Sequence, residues 1–352
     1  MPGENLLFVH MKDMSKIRNR KRWSQVMYMY YLLGYRHIMA CKNEVLEKMK
    51  TIDALRGGFG LNIQEINYLL GESASAKSQN TFLLALDGDT DFSPGSVKIL
   101  LDRMRDENVG AACGRIHPIG NGPMIWYQKF EYAIGHWLQK AAEHVFGCVL
   151  CSPGCFSLFR AAALMDTNVM KKYTPEPTEP SDHLQFDQGE DRWLCILLLQ
   201  QGYRIEYAAD AWTFAPEGFF EFFNQRCRWM PSTIANILDL LGSTSMTTKK
   251  NPNMSILYIL FQWLLMLMTM LGPGTILMMI AGAVKLVFKM TLIESYLFAT
   301  IPAMAFTVSC FWLTTRLQLI FAAILSIIYT FIMMVVFVGT IQTAAKGEHI
   351  PS

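Results

Sequence analysis

Charge is what this sequence runs short of. Only 17% of its 352 residues are Asp, Glu, Lys or Arg, against 52% hydrophobic, a balance too apolar for an ordinary soluble enzyme. The shortage is uneven. No charge falls between Lys250 and Lys285, a gap of 34 positions, between Glu294 and Arg316, a gap of 21, or between Arg316 and Lys346, a gap of 29. A bilayer crossing needs ~20 apolar residues. Each gap therefore predicts one span, at about 254–283, 295–315 and 317–341.

Other absences narrow the class further. The eight cysteines are scattered, which suits reduced thiols and not a disulfide framework. Cys148, Cys151 and Cys155 lie close together, but no second Cys or His pair completes four zinc ligands. They read as small buried residues. No leader is expected, because the apolar run Leu6–Val9 is short and His10 and Lys12 follow it at once. The net charge of +2 gives no footing for nucleic acid. Loop charges leave orientation open. Lys249, Lys250 and Arg316 stand on one side of the spans and Lys285, Lys289 and Lys346 on the other.

What is present reads as an α/β domain ahead of the spans. Asn5–Val9 suggests a short strand. A basic cluster follows: Lys16, Arg18, Arg20, Lys21 and Arg22, leading into an apolar helix at Val26–Leu33. The cluster is either a solvated helix face or a set of cations that reaches a diphosphate. Asn43–Ser78 reads as a helix, a loop marked by Gly57, Gly58 and Gly60, and a second helix near Ile63–Leu70. Thr81–Leu86 is a continuous apolar run of strand length, the pattern of a central strand covered on both faces. It stops at Asp87-Gly88-Asp89. Ser93-Pro94 then opens a helix as N-cap and first-turn proline, with Val97, Leu100, Leu101 and Met104 on its buried face. Val109–Ile116 reads as the next strand. Strand–helix–strand order predicts an α/β sheet, whose ligands sit at the carboxyl ends of strands. Asp87 and Asp89 fall at such an end.

Farther along, Trp126–Val145 predicts an aromatic helix, Ser152-Pro153-Gly154 a tight turn, Cys155–Arg160 a strand and Thr174–Pro180 a mobile loop. Gly189-Glu190-Asp191 opens a helix through Leu199 that Gly202 closes. Tyr203–Ala208 predicts a strand. Gly218–Leu241 is amphipathic, contains Pro231 and sits just before the spans, which predicts a helix in the membrane interface. Gly272-Pro273-Gly274 predicts a kink in the first span. The chain thus divides into a soluble domain at 1–217, an interfacial helix and linker at 218–250, and a membrane region at 251–345.

Three stretches carry chemistry. Two carboxylates one residue apart, Asp87 and Asp89, can share a divalent cation completed by waters and substrate phosphates. An Asp-Gly turn needs no such role. Glu190 and Asp191 would stabilise a first helical turn through its dipole. Paired with a metal site, Asp191 becomes a candidate general base, with the helix terminus expected to keep its pKa low. Gln225, Arg228 and Trp229 offer an amide, a cation and an aromatic plate, which suit either a sugar acceptor or interface anchoring.

Taken together, these stretches resemble the catalytic half of a chitin synthase of the animal type. The resemblance runs from about Lys12 to about Gln342. It rests on Lys21-Arg22-Trp23-Ser24-Gln25, Leu86-Asp87-Gly88-Asp89, Ala111–Ile116, Ser152–Arg160, Gly189-Glu190-Asp191-Arg192-Trp193 and Gln225–Trp229. The resemblance implies a processive, inverting glycosyltransferase with a GT-A-like α/β fold. Asp87 and Asp89 would bind UDP and a Mg²⁺ or Mn²⁺ ion, with Asp89 the stronger ligand. Asp191 would deprotonate the 4-hydroxyl of the growing chain. Gln225, Arg228, Trp229, Glu190, Cys155 and Phe156 would line the acceptor site. The implied partners are UDP-GlcNAc, the growing chitin chain, a lipid membrane and further copies of the chain. The implied location is the plasma membrane, with the catalytic domain in the cytosol beside its nucleotide sugar. Three departures stand out. Cys227 occupies the place of the family's middle Arg in Gln-Arg-Arg-Arg-Trp. The family's first uridine-binding strand has no counterpart before Met1, and its Ser-Trp-Gly-Thr-Arg stretch and later spans have none before Ser352. The chain is therefore expected to be a partial synthase. The alternatives are a fragment that only binds UDP or a synthase partner, and a synthase of another β-linked polymer.

Overall fold

The computed structural model describes residues 21–55, 63–215 and 218–345, with Val9, Met11, Asp13, Ser15 and Lys16. Of the expected strand Asn5–Val9 only Val9 is among them. Arg18, Arg20, Gly57, Gly58 and Gly60 lie outside the described residues. The apolar run forms strand β1, Phe82–Leu86. It is followed by β2 (Thr90–Phe92), β3 (Val109–Ile119), β4 (Phe156–Arg160) and β5 (Arg204–Phe214). Their order in the sheet is β1-β4-β3-β5-β2. Strand β4 runs antiparallel to both β1 and β3, β3 runs parallel to β5, and β2 is antiparallel to β5. Strands β1, β3 and β5 therefore point the same way, and their carboxyl ends share one side of the domain.

One expectation is corrected here. Strand β1 is not central: among the described residues it pairs with β4 alone, and it is only partly buried. The fully buried strand is β4. An apolar run records that a strand's faces are covered. It does not record which strand lies beside it, and here β4 inserts between β1 and β3 from about seventy residues downstream.

The core gathers Leu100 and Met104 with Val109, Ala112 and Ile116 of β3, Phe156 and Leu158 of β4, and Ala211 of β5. The helix that covers them, Pro94–Arg103, begins as its sequence predicts. The Ser93 hydroxyl accepts from the Ser96 amide at 3.3 Å, and Pro94 fills the first turn. Arg160 closes this layer from β4. Its guanidinium, 2% exposed, donates to four backbone carbonyls: Val109 at 2.9 Å, Asp106 at 2.8 Å, Met104 at 2.5 Å, and Gln79. The guanidinium thereby ties the ends of two helices and the turn after the second of them to the start of β3.

The aromatic helix begins at Pro123, behind Gly122, and runs through a wider-turn segment at Gly135–Lys140 to Phe146. The helix Glu190–Gln200 starts at its acidic pair and ends before Gly202, which has a φ of +98°. Strand β5 extends six residues beyond the predicted end because β3 continues beside it in parallel register to Phe214.

The chain forms two compact units. One takes the residues up to 217 with Arg226–Leu260; the other takes Gly218–Gln225 with Phe261 onward. The amphipathic helix Phe219–Gly242 contributes to both. The second unit holds most of three helices long and apolar enough to cross a membrane: Ile256–Phe288, Leu292–Trp312 and Thr315–Ala345. The first of these helices runs on through Pro273 without ending there. Thr291 and Glu294 form a reciprocal cap at the start of the second of these helices. The Tyr329 hydroxyl donates to the Ala299 carbonyl at 2.8 Å and ties the second helix to the third.

Candidate active site

Asp87 leaves β1 with the sheet pairing extended by one residue: its amide donates to the Cys155 carbonyl at 3.3 Å. The Thr90 amide donates back to the Asp87 carbonyl at 3.2 Å, which closes a turn around Gly88 and Asp89. The two carboxylates have different surroundings. Asp87 accepts from Lys21 Nζ at 2.6 Å. Asp89 is exposed and makes no hydrogen bond or ion pair among the described residues. An accessible carboxylate with a second one beside it fits a hard divalent cation completed by diphosphate oxygens and water. Among the described residues no group of three or more His, Cys, Asp or Glu gathers for a metal, and such a shared site does not require one.

Asp191 opens the Glu190–Gln200 helix, and its Oδ2 accepts from the Gly154 amide at 2.9 Å. A β-carbon on Gly154 would stand 2.3 and 2.5 Å from the two carboxylate oxygens, so only glycine lets the Ser152-Pro153-Gly154 turn close over the acid. Gly189 is confined in the same way on the other side. A β-carbon there would come within 2.7 Å of Asn236 Nδ2 and 2.9 Å of Ser232 Cβ. Ser232 and Asn236 thus pack the Phe219–Gly242 helix against the acidic turn, and the Arg228 charge on the same helix reaches Glu190. The sequence signal was there in both glycines, but neither had a visible partner.

The electrostatics depart from expectation. Asp191 was expected to be held low by the helix terminus; instead desolvation lifts its carboxyl above the usual range. The Lys21 ammonium and the Gly154 amide oppose that rise without cancelling it. Burial, and then the Asp191 charge, push Glu190 up to about 7. Burial lowers Lys21, but Asp191 and Asp87 together outweigh it and raise its pKa. Lys21 thus links the two acidic stretches, lying in ion-pair contact with Asp87 and in the field of Asp191.

The basic cluster has neither of the roles weighed for it at Arg22. That side chain is wholly buried and pairs with Asp187, Nε to Oδ1, at 3.1 Å. Its Nη1 donates to the Tyr173 carbonyl at 2.6 Å and to the Pro175 carbonyl at 3.1 Å. The Tyr173 hydroxyl donates to Gln25 Oε1 at 2.6 Å. Lys21-Arg22-Trp23-Ser24-Gln25 therefore presents one cation to the site and uses the next to anchor the loop before it.

Phe156 is completely buried in the core, 5.2 Å from the Phe92 ring, so its ring has no surface on which a sugar could stack. Cys155 is half-buried and serves through its carbonyl; burial and the nearby Asp87 raise its thiol to about 12. Trp229 is half-buried, and the cation over its ring is Arg226, at 4.5 Å, which also pairs with Glu131. Arg228 is exposed and its charge lowers Glu190. Gln225 falls in the other compact unit. Cys148, Cys151 and Cys155 are free thiols, and all three are raised by burial.

An α/β sheet with an acidic turn at the carboxyl end of β1 and an acidic helix start linked to it through Lys21, in a chain that continues into three helices long enough to cross a bilayer, has the architecture of a membrane glycosyltransferase. The family model for chitin synthase matches residues 11–341. The chain is 53% identical over 343 residues to chitin synthase chs-2 of Caenorhabditis elegans, covering 97% of this chain and 19% of that protein. It is 52% identical to chitin synthase chs-1 of the same organism, covering 97% and 24%, and 49% identical to a chitin synthase of Meloidogyne artiellia, covering 97% and 17%. The chain belongs to the chitin synthase family, and it spans about a fifth of the length of these relatives.

Proposed function

We propose that this chain is the catalytic portion of a synthase that transfers GlcNAc from UDP-GlcNAc to the 4-hydroxyl of a growing β-1,4 chain with inversion. The observation that carries the reading is the convergence of Asp87 and Asp191 on Lys21. Asp191 takes the proton of the acceptor hydroxyl as its oxygen bonds to the anomeric carbon. UDP departs from the opposite face with the electron pair of the broken bond. The raised pKa of Asp191 favours this role, because a carboxylate closer to neutrality is the better proton acceptor; such assistance is worth ~10²–10⁴-fold. The Gly154 amide fixes the direction of that carboxylate. Asp89 and Asp87 would hold a Mg²⁺ or Mn²⁺ ion, which when bound neutralises the departing diphosphate. Lys21 adds a fixed cation on the same side. Trp229 and Arg228 supply a plate and a donor for the acceptor sugar. The polymer leaves through the membrane, with the catalytic unit on the cytosolic face where nucleotide sugars are made.

The test is incorporation of labelled sugar from UDP-GlcNAc, with Mg²⁺, into chitinase-sensitive polymer by membranes carrying the chain. Asp191→Asn is expected to abolish incorporation and to leave UDP binding intact. Polymer formation by Asp191→Asn at more than a tenth of the parent rate would remove Asp191 from the role of base. UDP binding without polymer from the parent chain would favour a binding-only fragment.

A further inference from the structure

The carboxyl ends of β3 and β5 frame a cavity of about 620 Å³ that none of Asp87, Asp89 and Asp191 lines. Two tryptophans stand on its walls: Trp137 from the aromatic helix, 64% exposed, and Trp212 from β5, 38% exposed. Each has a nitrogen-bearing side chain against its ring. The Arg115 guanidinium lies 4.8 Å from the Trp137 centroid, and the His117 ring stacks on Trp212 at 5.8 Å and 28°. Both side chains meet one carboxylate. Arg115 Nε and Nη2 donate to the two oxygens of Asp210 at 2.7 and 3.1 Å, and His117 Nε2 lies 3.1 Å from Asp210 Oδ1. The floor is also set. His136 Nε2 accepts from the Ile116 amide at 3.2 Å, and its Nδ1 lies 2.6 Å from the Tyr207 hydroxyl.

Three features of this arrangement specify a ligand. The volume lies in the range of small-molecule sites, about 300–1,000 Å³. The Arg115 charge is taken up by the bidentate Asp210 carboxylate, and the Lys129 ammonium on the lining donates to the Gly120 carbonyl at 3.3 Å, so an anion would have to displace a partner already in place. Exposed indoles beside a fixed hydrogen-bonding array match a ring that is apolar on its faces and polar at its edge. That is the chemistry of a pyranose. The position fits as well, because Asp91, two residues beyond Asp89, pairs in register with Trp212.

We propose that this cavity is a second carbohydrate site, separate from the carboxylate centre, that takes an uncharged β-linked amino-sugar oligosaccharide. The amino-sugar identity rests on the proposed reaction; the stacking site does not. The test is calorimetric titration of the full chain in detergent with chitotetraose. Trp229→Ala serves as the parent, so that the acceptor position is removed from the reading. Tetraose binding is expected to persist in that parent and to weaken at least tenfold on adding Trp137→Ala, with UDP affinity unchanged. Trp212→Phe, which keeps a ring on β5, is expected to weaken it less than Trp212→Ala. No tetraose binding in the Trp229→Ala parent, or binding unchanged by Trp137→Ala, would overturn the proposal. So would displacement of the sugar by inorganic diphosphate at lower concentration than the tetraose itself, or preference for cellotetraose. Absence of polymer synthesis with tetraose binding intact would count against the proposed reaction and leave this site standing.

Discussion

Gly154→Ala tests the candidate base without touching it. The added methyl would lie 2.3 Å from Asp191 Oδ1, 2.5 Å from Oδ2 and 2.7 Å from Cγ. Ordinary contact begins about an ångström farther out, so the carboxylate has to retreat by ~1 Å or rotate, because the turn that carries Gly154 is backbone. Either movement breaks the 2.9 Å bond from the Gly154 amide. A misplacement of ~1 Å costs on the order of 10²-fold in rate, and complete loss of base assistance ~10²–10⁴-fold. We therefore expect Gly154→Ala to lower the turnover of UDP-GlcNAc into polymer by about 10²–10³-fold. UDP affinity should stay within about threefold, since a bond to a charged group removed at Asp191 leaves Asp87 and Asp89 unchanged. Gly135→Ala is the matched control, because a β-carbon there meets nothing within 4 Å. Turnover by Gly154→Ala above a third of the parent rate, with Gly135→Ala at parent level, would refute the argument that Asp191 acts from this position.

Arg22→Ala removes the buried end of the Arg22–Asp187 ion pair and its bonds to the Tyr173 and Pro175 carbonyls, and should destabilise the catalytic unit by ~3–5 kcal/mol, read as a fall in denaturant midpoint. Glu190 is raised by burial first and by Asp191 second, from 4.5 to about 7. A raised carboxyl holds its proton more tightly in the folded chain. Its stabilisation is therefore complete below pH 4.5 and is lost as pH rises through about 7. Thermal unfolding of Glu190→Gln across that interval should show a flatter decline than the parent. Cys227 is exposed, so Cys227→Arg should change turnover less than tenfold, measured in the same incorporation assay.

Much of this molecule is written in local pattern. The strand at Phe82–Leu86, the cap at Ser93, the helix at Glu190 and the three apolar helices all follow from runs and periods within about thirty residues. What the sequence withheld is pairing at a distance. Nothing near Thr81 marks β1 as lying beside a strand at Phe156–Arg160, and nothing near Arg22 points to Asp187. The candidate site divides along the same line. Asp87, Asp89 and Asp191 are recognisable from residue type, but the elevation of Asp191 depends on what buries it. Likewise the cation over Trp229 is Arg226 and not the neighbouring Arg228, because helical geometry sets which side chain folds back onto the ring. Phe156 shows the converse error: a residue in a functional stretch whose ring serves the core.

The Arg160 clamp sets an order of events in time. The carbonyl of Gln79 that it satisfies is 81 positions upstream, and the Ser96 hydroxyl waits for the Asp210 carbonyl across 114. At a synthesis rate of about 5–20 residues per second, those intervals last roughly 4–16 and 6–23 seconds. During them β1 lacks β4, and the Pro94–Arg103 helix has β3 but not yet β4 or β5 to pack against. The nascent chain therefore passes through a window in which its future core is open to chaperones or to other nascent chains. That window closes only after β5 has been made, before the apolar helix Ile256–Phe288 emerges.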